Sequence, residues 1–263
     1  MESEVIRPIV RLGNSAGVVL PKEWLYGKAK IVLLEKKTEP EQEIFQILSA
    51  YLKNITALAI VGSYARGEQT ADSDVDVLVI TNSTNKRVKN GKYEIILVSE
   101  DKIQKYLDAN ILPLLPMLIE SKSLINKELI DKLRNIKLTK KNLSFHFETT
   151  KTAMKVVKAE IELAKEMEED FVKNRTAYSL VLRLRELYIV ECLIHGRMWN
   201  KRDFLRLIKE KSGSLKAYDG YLMMKNKEKN KILTLPLEEA SKLYNYIYDE
   251  IKKQEKEWVK IRN

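Results

Sequence analysis

The sequence predicts an α+β protein with three successive parts: a small N-terminal β module over residues 1–38, a layered α/β domain over 39–128 and a C-terminal helical bundle over 129–263. Short runs of alternating polarity dominate the first part, and longer apolar runs alternate with helical patterns in the second. In the third part, apolar residues recur at intervals of three and four over long stretches, as they do on one face of an α-helix.

The composition indicates a globular protein with an anionic partner. The chain has 263 residues, 44% of them hydrophobic, and a formal net charge of +10. This basic surplus suits a nucleoside triphosphate or a nucleic acid, although lysines interleaved with glutamates also occur on ordinary solvated helices. The chain lacks an apolar stretch of about 18 residues, a secretory signal and a Cys/His cluster, and its one cysteine, Cys192, fits a reducing compartment. We therefore expect a cytoplasmic protein without a membrane span.

The N-terminal module is predicted to contain a hairpin followed by one more strand. Two strands, at residues 5–11 and 18–20, flank a turn signal at Gly13-Asn14. A single helical turn and a third strand, at residues 29–35, are expected to follow. A unit this small cannot bury a sufficient core alone, so a partner chain or the next domain must complete it.

The string that begins at Leu12 and ends at Trp24, LGNSAGVVLPKEW, resembles the AbrB/SpoVT-type swapped-hairpin family. The resemblance implies an interlaced β-barrel made by two chains, and therefore a homodimer. In many members of that family basic residues of the hairpin bind DNA, and Arg7, Arg11 and Lys22 are the matching candidates here. A module that serves only as a dimerisation clasp is the alternative, and the sequence leaves that choice open.

The second part is predicted to follow the order α-β-α-β-β-α. Strands are expected at residues 57–61, 74–80 and 93–98, with a polar loop over 81–91. Behind them, a helix is expected over 100–109, where Ser99 is a suitable N-cap and acidic residues occupy the first turn.

Two further patterns bound this domain. Residues 44–52 have the apolar spacing of an amphipathic helix before the first strand. After the last helix, Pro113 and Pro116 are expected to interrupt any regular element. Residues 121–125 are then predicted to return as a short strand.

The C-terminal part is predicted to be an up-and-down bundle of about four helices. Apolar stripes trace long helices around residues 145–164 and 178–193. Asn200 is expected to cap a shorter helix that Gly213 ends, and the last helix is expected to begin near Pro236.

Arginines interrupt the apolar stripe of the second long helix. Arg183, Arg185 and Arg197 could reach phosphates in a cleft, since guanidinium groups bind phosphate in a bidentate manner. Salt bridges to neighbouring glutamates are the favoured interpretation. Trp199 is expected to be a packing residue.

Residues 62–76 contain the main functional candidate. Gly62 and Ser63 form a turn directly after an apolar strand, and Asp74 and Asp76 open the next strand. Side chains at i and i+2 of a strand lie on the same face, so the two carboxylates project together. Adjacent carboxylates repel unless a cation lies between them, and Mg²⁺ prefers carboxylates combined with phosphate oxygens. A hairpin edge with solvated acids is the alternative.

This segment resembles the minimal nucleotidyltransferase branch of the DNA polymerase β-like nucleotidyltransferase superfamily, whose pattern is G-S-x-A-R-G, a spacer of five residues and S-D-x-D. The matching residues are Gly62, Ser63, Ala65, Arg66, Gly67, Ser73, Asp74 and Asp76. The superfamily also needs a third carboxylate on a neighbouring strand, usually an aspartate. Here Glu94 takes that place, one methylene longer.

The resemblance implies an enzyme that transfers a nucleoside monophosphate from a nucleoside triphosphate to an acceptor hydroxyl and releases pyrophosphate. Asp74, Asp76 and Glu94 are the implied catalytic residues and the ligands of two Mg²⁺ ions. The implied nucleotide-binding residues are Gly62, Ser63, Arg66 and Ser73.

The acceptor is not readable from the sequence. A protein hydroxyl, as in antitoxin-like AMP transfer, an RNA end and a small molecule are all candidates. A different class of function also stays open: a DNA-binding regulator or dimeric nucleotide sensor whose nucleotidyltransferase domain is catalytically weak.

Overall fold

The structure of the protein, a computed structural model, describes residues 4–32, 40–71, 73–226 and 235–260, with side chains up to residue 257. The chain divides into two compact units, Met1–Glu39 and Pro40–Asn263. The further division of the larger unit at residue 128 stays a prediction.

The smaller unit contains a β-hairpin. Strand β1 (Ile9–Leu12) pairs antiparallel with β2 (Ser15–Val18), with Gly13 at the turn at a φ of 60°. The predicted second strand at 18–20 is therefore wrong in its position, because the tight turn begins the strand at Ser15. A 3₁₀ turn follows at Lys22–Trp24.

The predicted third strand of this unit does not form in its described portion. Residues 29–32 are not in a strand, and the remainder of the predicted segment, 33–35, lies outside the described residues. A strand needs an edge to pair with, and among the described residues β1 and β2 pair only with each other.

The larger unit is built around a five-stranded sheet with the order β5-β6-β4-β3-β7. Strands β4 and β6 are parallel, and the other neighbouring pairs are antiparallel. The strands are β3 (Ile55–Val61), β4 (Val75–Thr81), β5 (Lys86–Asn90), β6 (Tyr93–Ser99) and β7 (Lys122–Ile125).

The two faces of this sheet pack into different cores because side chains alternate along each strand. Leu58 and Val77 face a smaller cluster that includes Ile44 of the first helix. Leu78 and Ile80 face a larger cluster that continues into the C-terminal helices. Asp76 lies two residues before Leu78 and therefore on the face that meets those helices.

The helices of the larger unit surround the sheet and extend beyond it. They are α1 (Pro40–Ile47), α2 (Gly62–Arg66), α3 (Glu100–Ala109), α4 (Leu114–Glu120), α5 (Lys127–Arg134), α6 (Lys140–Glu166), α7 (Asn174–Ile194), α8 (Lys201–Ser212), α9 (Lys216–Lys225) and α10 (Leu237–Lys260). Among the described residues, none of the helices has both the length and the apolar composition needed to cross a membrane.

Several predicted helix ends are confirmed. Helix α3 has the predicted bounds, with Ser99 at the N-cap position. The Ser99 side chain makes no hydrogen bond to the helix backbone, and its hydroxyl donates instead to Asp101 Oδ1 at 2.5 Å. The side chain of Asn200 accepts from the Asp203 N–H at the start of α8, and Gly213 ends that helix in the left-handed conformation.

Two predictions about the α/β domain are wrong. The polar loop over 81–91 contains strand β5, whose mostly exposed residues at the sheet edge give no apolar pattern. Pro113 and Pro116 do not prevent a helix: Pro116 lies in the first turn of α4, where a missing N–H costs no helical hydrogen bond.

The C-terminal helices pack around α7. Helices α6, α7 and α10 contact one another, α9 lies along α7, and α8 contacts α10. A two-residue pair of strands, β8 (Phe171–Val172) and β9 (Leu235–Pro236), ties the segment before α7 to the start of α10. The up-and-down order of a four-helix bundle stays a prediction.

Candidate active site

Two of the predicted acidic residues are direct neighbours in the sheet. In the parallel pair β4–β6, Asp76 is in register with Glu94. Their side chains therefore leave the same face of the sheet on adjacent strands. Asp74 lies in the loop just before β4 and is exposed. The strand register thus brings Asp76 and Glu94 together, with Asp74 two residues before Asp76.

The carboxyl of Asp76 is surrounded by negative charge. Burial, followed by the charges of Glu94, Asp74 and Glu120, raises the pKa of Asp76 from its ordinary 3.8 to about 6, while Lys225 acts in the opposite direction. A half-buried carboxyl among like charges is an environment that favours binding of a cation.

Glu94 is paired with a lysine of the edge strand. Lys89 Nζ lies 2.7 Å from Glu94 Oε1, and the Glu94 side chain is 47% exposed. Among the described residues there is no group of three or more His, Cys, Asp or Glu side chains placed to hold a metal ion. The donor atoms still suit Mg²⁺, which prefers carboxylate oxygens, and one of them, Glu94 Oε1, is paired with Lys89.

The glycine turn lies directly against Asp76. Strand β3 ends at Val61, which pairs with Asp76, and Gly62 follows at a φ of +71°. A Cβ atom at Gly62 would overlap Asp76 Oδ2 and lie 3.2 Å from its Cγ. Only glycine fits a left-handed position with so little space beside the carboxylate.

The Gly62 amide already has a partner. It donates to Glu120 Oε1 at 2.7 Å, so this N–H is not one of the free donors that the sequence suggested for phosphate. Glu120 closes helix α4, and its side chain is only 4% exposed.

Arg66 is held from three sides. Its Nη1 donates to Glu120 Oε2, and its Nε donates to Glu68 Oε2 at 2.7 Å. Its Cζ lies 3.8 Å from the centroid of the Trp199 ring, a cation–π contact of about 0.5–2 kcal/mol. Direct nucleotide binding by Arg66 stays a prediction, and the contacts described here are made by its Nε and Nη1.

The two serines of the motif have different environments. Ser63 lies in α2, and its carbonyl accepts from the Glu68 N–H at 2.9 Å. Ser73 Oγ accepts from the Thr70 N–H at 2.8 Å and closes the loop that leads to Asp74. Nucleotide contacts by either serine stay predictions.

The candidate DNA contacts lie in the smaller unit. Arg7, Arg11 and Lys22 are exposed, and Arg11 Nε donates to the Gly13 carbonyl at 3.0 Å, across the hairpin turn. Their proposed role stays a prediction.

Residues other than the matching positions of the motif also contact or surround the candidate site. Sequence reasoning missed Glu120 and Glu68, assigned Trp199 to packing alone, and did not consider Lys225. A signal for Glu120 was present, since it is a single charge at the end of the apolar run 114–119. Two of the arginines on the second long helix have different partners. Arg183 pairs with Glu186 at 2.7 Å, as the salt-bridge interpretation predicted, whereas Arg185 Cζ lies 5.1 Å from the centroid of the Trp199 ring.

The site thus combines an acidic pair on adjacent strands with a glycine turn beside it. The family model for the nucleotidyltransferase domain matches residues 41–179, which is more than half of the chain. The chain therefore belongs to the nucleotidyltransferase domain family and is a nucleotidyltransferase.

Two solved structures are among those similar to the chain. One is a nucleotidyltransferase-like protein from Exiguobacterium sibiricum 255-15, with 16% identity, a TM-score of 0.37, and coverage of 81% of this chain and 73% of that chain. The other is spectinomycin adenyltransferase AAD(9) from Enterococcus faecialis, solved with ATP and spectinomycin. It has 14% identity and a TM-score of 0.40, and the match covers 81% of this chain and 98% of that chain. No curated protein matches the chain.

Proposed function

We propose that the protein transfers a nucleoside monophosphate from a nucleoside triphosphate to an acceptor hydroxyl, with Mg²⁺, and releases pyrophosphate. The observation that carries this proposal is the register of Asp76 with Glu94 beside the Gly62 turn. Asp74, Asp76 and Glu94 would hold two Mg²⁺ ions, which supply charge neutralisation of the triphosphate when bound.

Release of Glu94 from Lys89, which lets it act with the two aspartates, costs little free energy. The Lys89–Glu94 pair is exposed on both sides, and exposed ion pairs contribute little to stability. Glu94 can therefore exchange Lys89 for a cation or for the proton of an acceptor hydroxyl. The raised pKa of Asp76 supports the same interpretation, because burial and neighbouring acids disfavour its charge until a cation compensates it.

The chain's own groups would bind and orient the donor. The Ser63 hydroxyl and the backbone amides that follow Gly62, at the start of α2, would bind the phosphates, and Ser73 accepts from the Thr70 N–H in the loop that leads to Asp74. Glu94 would accept the proton of the attacking hydroxyl as a general base. The bond that forms joins this oxygen to the α-phosphorus, and the bond that breaks releases pyrophosphate.

The acceptor can be identified by following label. The chain is incubated with Mg²⁺, cell extract and each of four nucleoside triphosphates labelled at the α-phosphate, and protein, RNA and small-molecule fractions are then separated. Label in one fraction names the acceptor class. No transfer from any nucleotide into any fraction would contradict the proposal and would favour the nucleotide sensor.

The smaller unit supports a second proposal, that it joins two chains. In the described residues 4–32 no side chain is buried, although this stretch contains many apolar residues. The most exposed of them are Ile6, Val19, Leu25, Tyr26, Ile31 and Val32, at 60% or more. Apolar surface of this extent is typical of an interaction surface, and a second copy of the hairpin would cover it.

DNA binding by this unit is the alternative role, supported by the exposed Arg7, Arg11 and Lys22. A shift of duplex DNA by the full chain that weakens with rising salt and is lost in Arg7→Ala/Arg11→Ala would support a regulator. Unchanged binding in that variant would contradict DNA contact through these residues.

A further inference from the structure

We propose that Glu120 is a positioning residue for nucleotidyl transfer: its buried carboxylate fixes the Gly62 turn against Asp76 and anchors the Arg66 guanidinium. This inference rests on the proposed function. It assigns to Glu120, which lies outside the signature motif, a role in shaping the site, with Arg66 as the cation that its carboxylate anchors.

The first support is the position of the Glu120 carboxylate between two groups of the motif. Oε1 accepts from the Gly62 amide at 2.7 Å, and Oε2 accepts from Arg66 Nη1. Both side chains of the ion pair are nearly inaccessible, at 4% for Glu120 and 10% for Arg66. A carboxylate in such surroundings is retained only where each oxygen has a donor.

The second support is the contact between the turn and the catalytic aspartate. The Gly62 Cα leaves no space for a side chain beside Asp76 Oδ2. A shift of the Gly62 amide toward another partner therefore changes the backbone that borders the Asp76 carboxylate. Glu120 is thus connected to the reacting centre through one backbone residue.

The third support is a set of contacts that anchors Arg66 from the C-terminal helices. Trp199 covers the guanidinium face, and Glu68 accepts both from Arg66 Nε and, at 3.0 Å, from the Lys201 N–H. Arg66 therefore joins the motif to α4 and to the loop before α8. Two carboxylates and an aromatic ring thus fix the orientation of the guanidinium relative to the motif.

The positioning role and a phosphate-binding role for Arg66 predict opposite effects of Glu120→Gln. If Arg66 bound phosphate, removing its counter-charge would free the guanidinium and lower the KM for the nucleotide. If Glu120 positions the turn, kcat falls while that KM does not improve. We expect a decrease in kcat of at least about tenfold, since a misplacement of about 1 Å can cost on the order of 100-fold in rate.

The sharpest variant removes both charges together. Arg66→Met/Glu120→Met removes both members of the buried ion pair, and such apolar replacements are often tolerated by the fold, while the Gly62 amide loses its acceptor. We expect this double variant to unfold at a temperature near that of the unaltered chain and to have a kcat about as low as Glu120→Gln, because both lose the same coupled unit. Glu120→Asp, which keeps the charge, should recover part of kcat.

Glu128→Gln is the matched control, since Glu128 is an exposed glutamate in the next helix. Steady-state kcat and KM for the nucleotide are measured for all five proteins with the acceptor fraction that takes up label. Transfer by the double variant at the rate of the unaltered chain, or a lowered KM in Glu120→Gln, would overturn the positioning role. Absence of transfer by the unaltered chain would instead count against the proposed function.

Discussion

At the scale of single residues, Asp76 carries a charge that its surroundings disfavour. Burial and the nearby Glu94 and Asp74 raise its pKa from 3.8 to about 6. Between these two values the folded chain keeps a proton that the unfolded chain has lost, so this group lowers the free energy of unfolding as the pH rises through that window.

Asp76→Asn removes this pH dependence. The full shift of about two pKa units would correspond to about 3 kcal/mol, and screening of a half-exposed carboxyl reduces our expectation to about 1 kcal/mol of added stability above pH 7. Urea unfolding without divalent ions, at about pH 4.5 and about pH 7.5, measures the difference. Identical pH dependence in the two proteins would contradict the electrostatic environment described for Asp76.

Gly62 and Gly67 offer a matched test of the space beside Asp76. Both have a φ of +71°, but a Cβ at Gly67 meets no atom within 4 Å, whereas one at Gly62 overlaps Asp76 Oδ2. Gly67→Ala should cost about 1–2 kcal/mol of stability, the usual cost of a left-handed L-residue, and retain transfer. Gly62→Ala should cost more and lose transfer. Equal effects of the two variants on kcat would contradict the claim that only a side chain at Gly62 disturbs Asp76.

Residues of a local motif could be predicted, and residues that act on it from a distance could not. Gly62, Asp74 and Asp76 lie within one short segment, and the strand expected at 74–80 forms from Val75, which leaves Asp74 in the loop just before it. The Glu120–Arg66 contact joins residues 54 positions apart, and the Glu68–Lys201 contact joins residues 133 apart. Spacing in the sequence carries no information on pairs of this kind.

At the scale of elements, apolar runs were sufficient to predict the central strands. Strands β3, β4 and β6 are buried on both faces and therefore give continuous apolar segments. Edge strand β5 is solvated and gives no such signal. Helix α4 was missed because its prolines were interpreted as breaks, although Pro116 lies in a turn that tolerates it.

The N-terminal capping box of α6 gives a prediction confined to this element. Thr139 Oγ1 accepts from the Asn142 N–H at 3.1 Å, and the Asn142 side chain accepts from the Thr139 N–H at 2.7 Å. Thr139→Ala should lower stability by about 1 kcal/mol, with kcat unchanged.

Thr152→Ala in the middle of the same helix is the control. Thr152 is exposed and its hydroxyl only donates to the Glu148 carbonyl one turn earlier, so its replacement should be neutral or slightly stabilising. Thermal unfolding of both variants compares their stabilities. A greater loss of stability in Thr152→Ala than in Thr139→Ala would refute the role of Thr139 as a helix cap.

At the scale of the whole molecule, the smaller unit predicts self-association. Ile9 in strand β1 is 51% exposed, and Ile9→Glu should shift the chain from dimer to monomer in sedimentation equilibrium. Val156→Glu, at a similarly exposed position on α6 (57%), should leave the dimer intact. Dissociation by the second variant instead of the first would place the interface on the helical part.

The central claim is that Asp76 and Glu94 act together on the nucleotide, and Glu94 is its most direct test. Nucleotidyl transfer with Mg²⁺ is measured for the unaltered chain, for Glu94→Gln, and for Lys89→Gln, which removes only the partner of Glu94 in the absence of substrate. We predict that Glu94→Gln lowers kcat by about 10²-fold or more, as expected for loss of a general base, and that Lys89→Gln retains the rate. Transfer by Glu94→Gln at the unaltered rate would contradict the account.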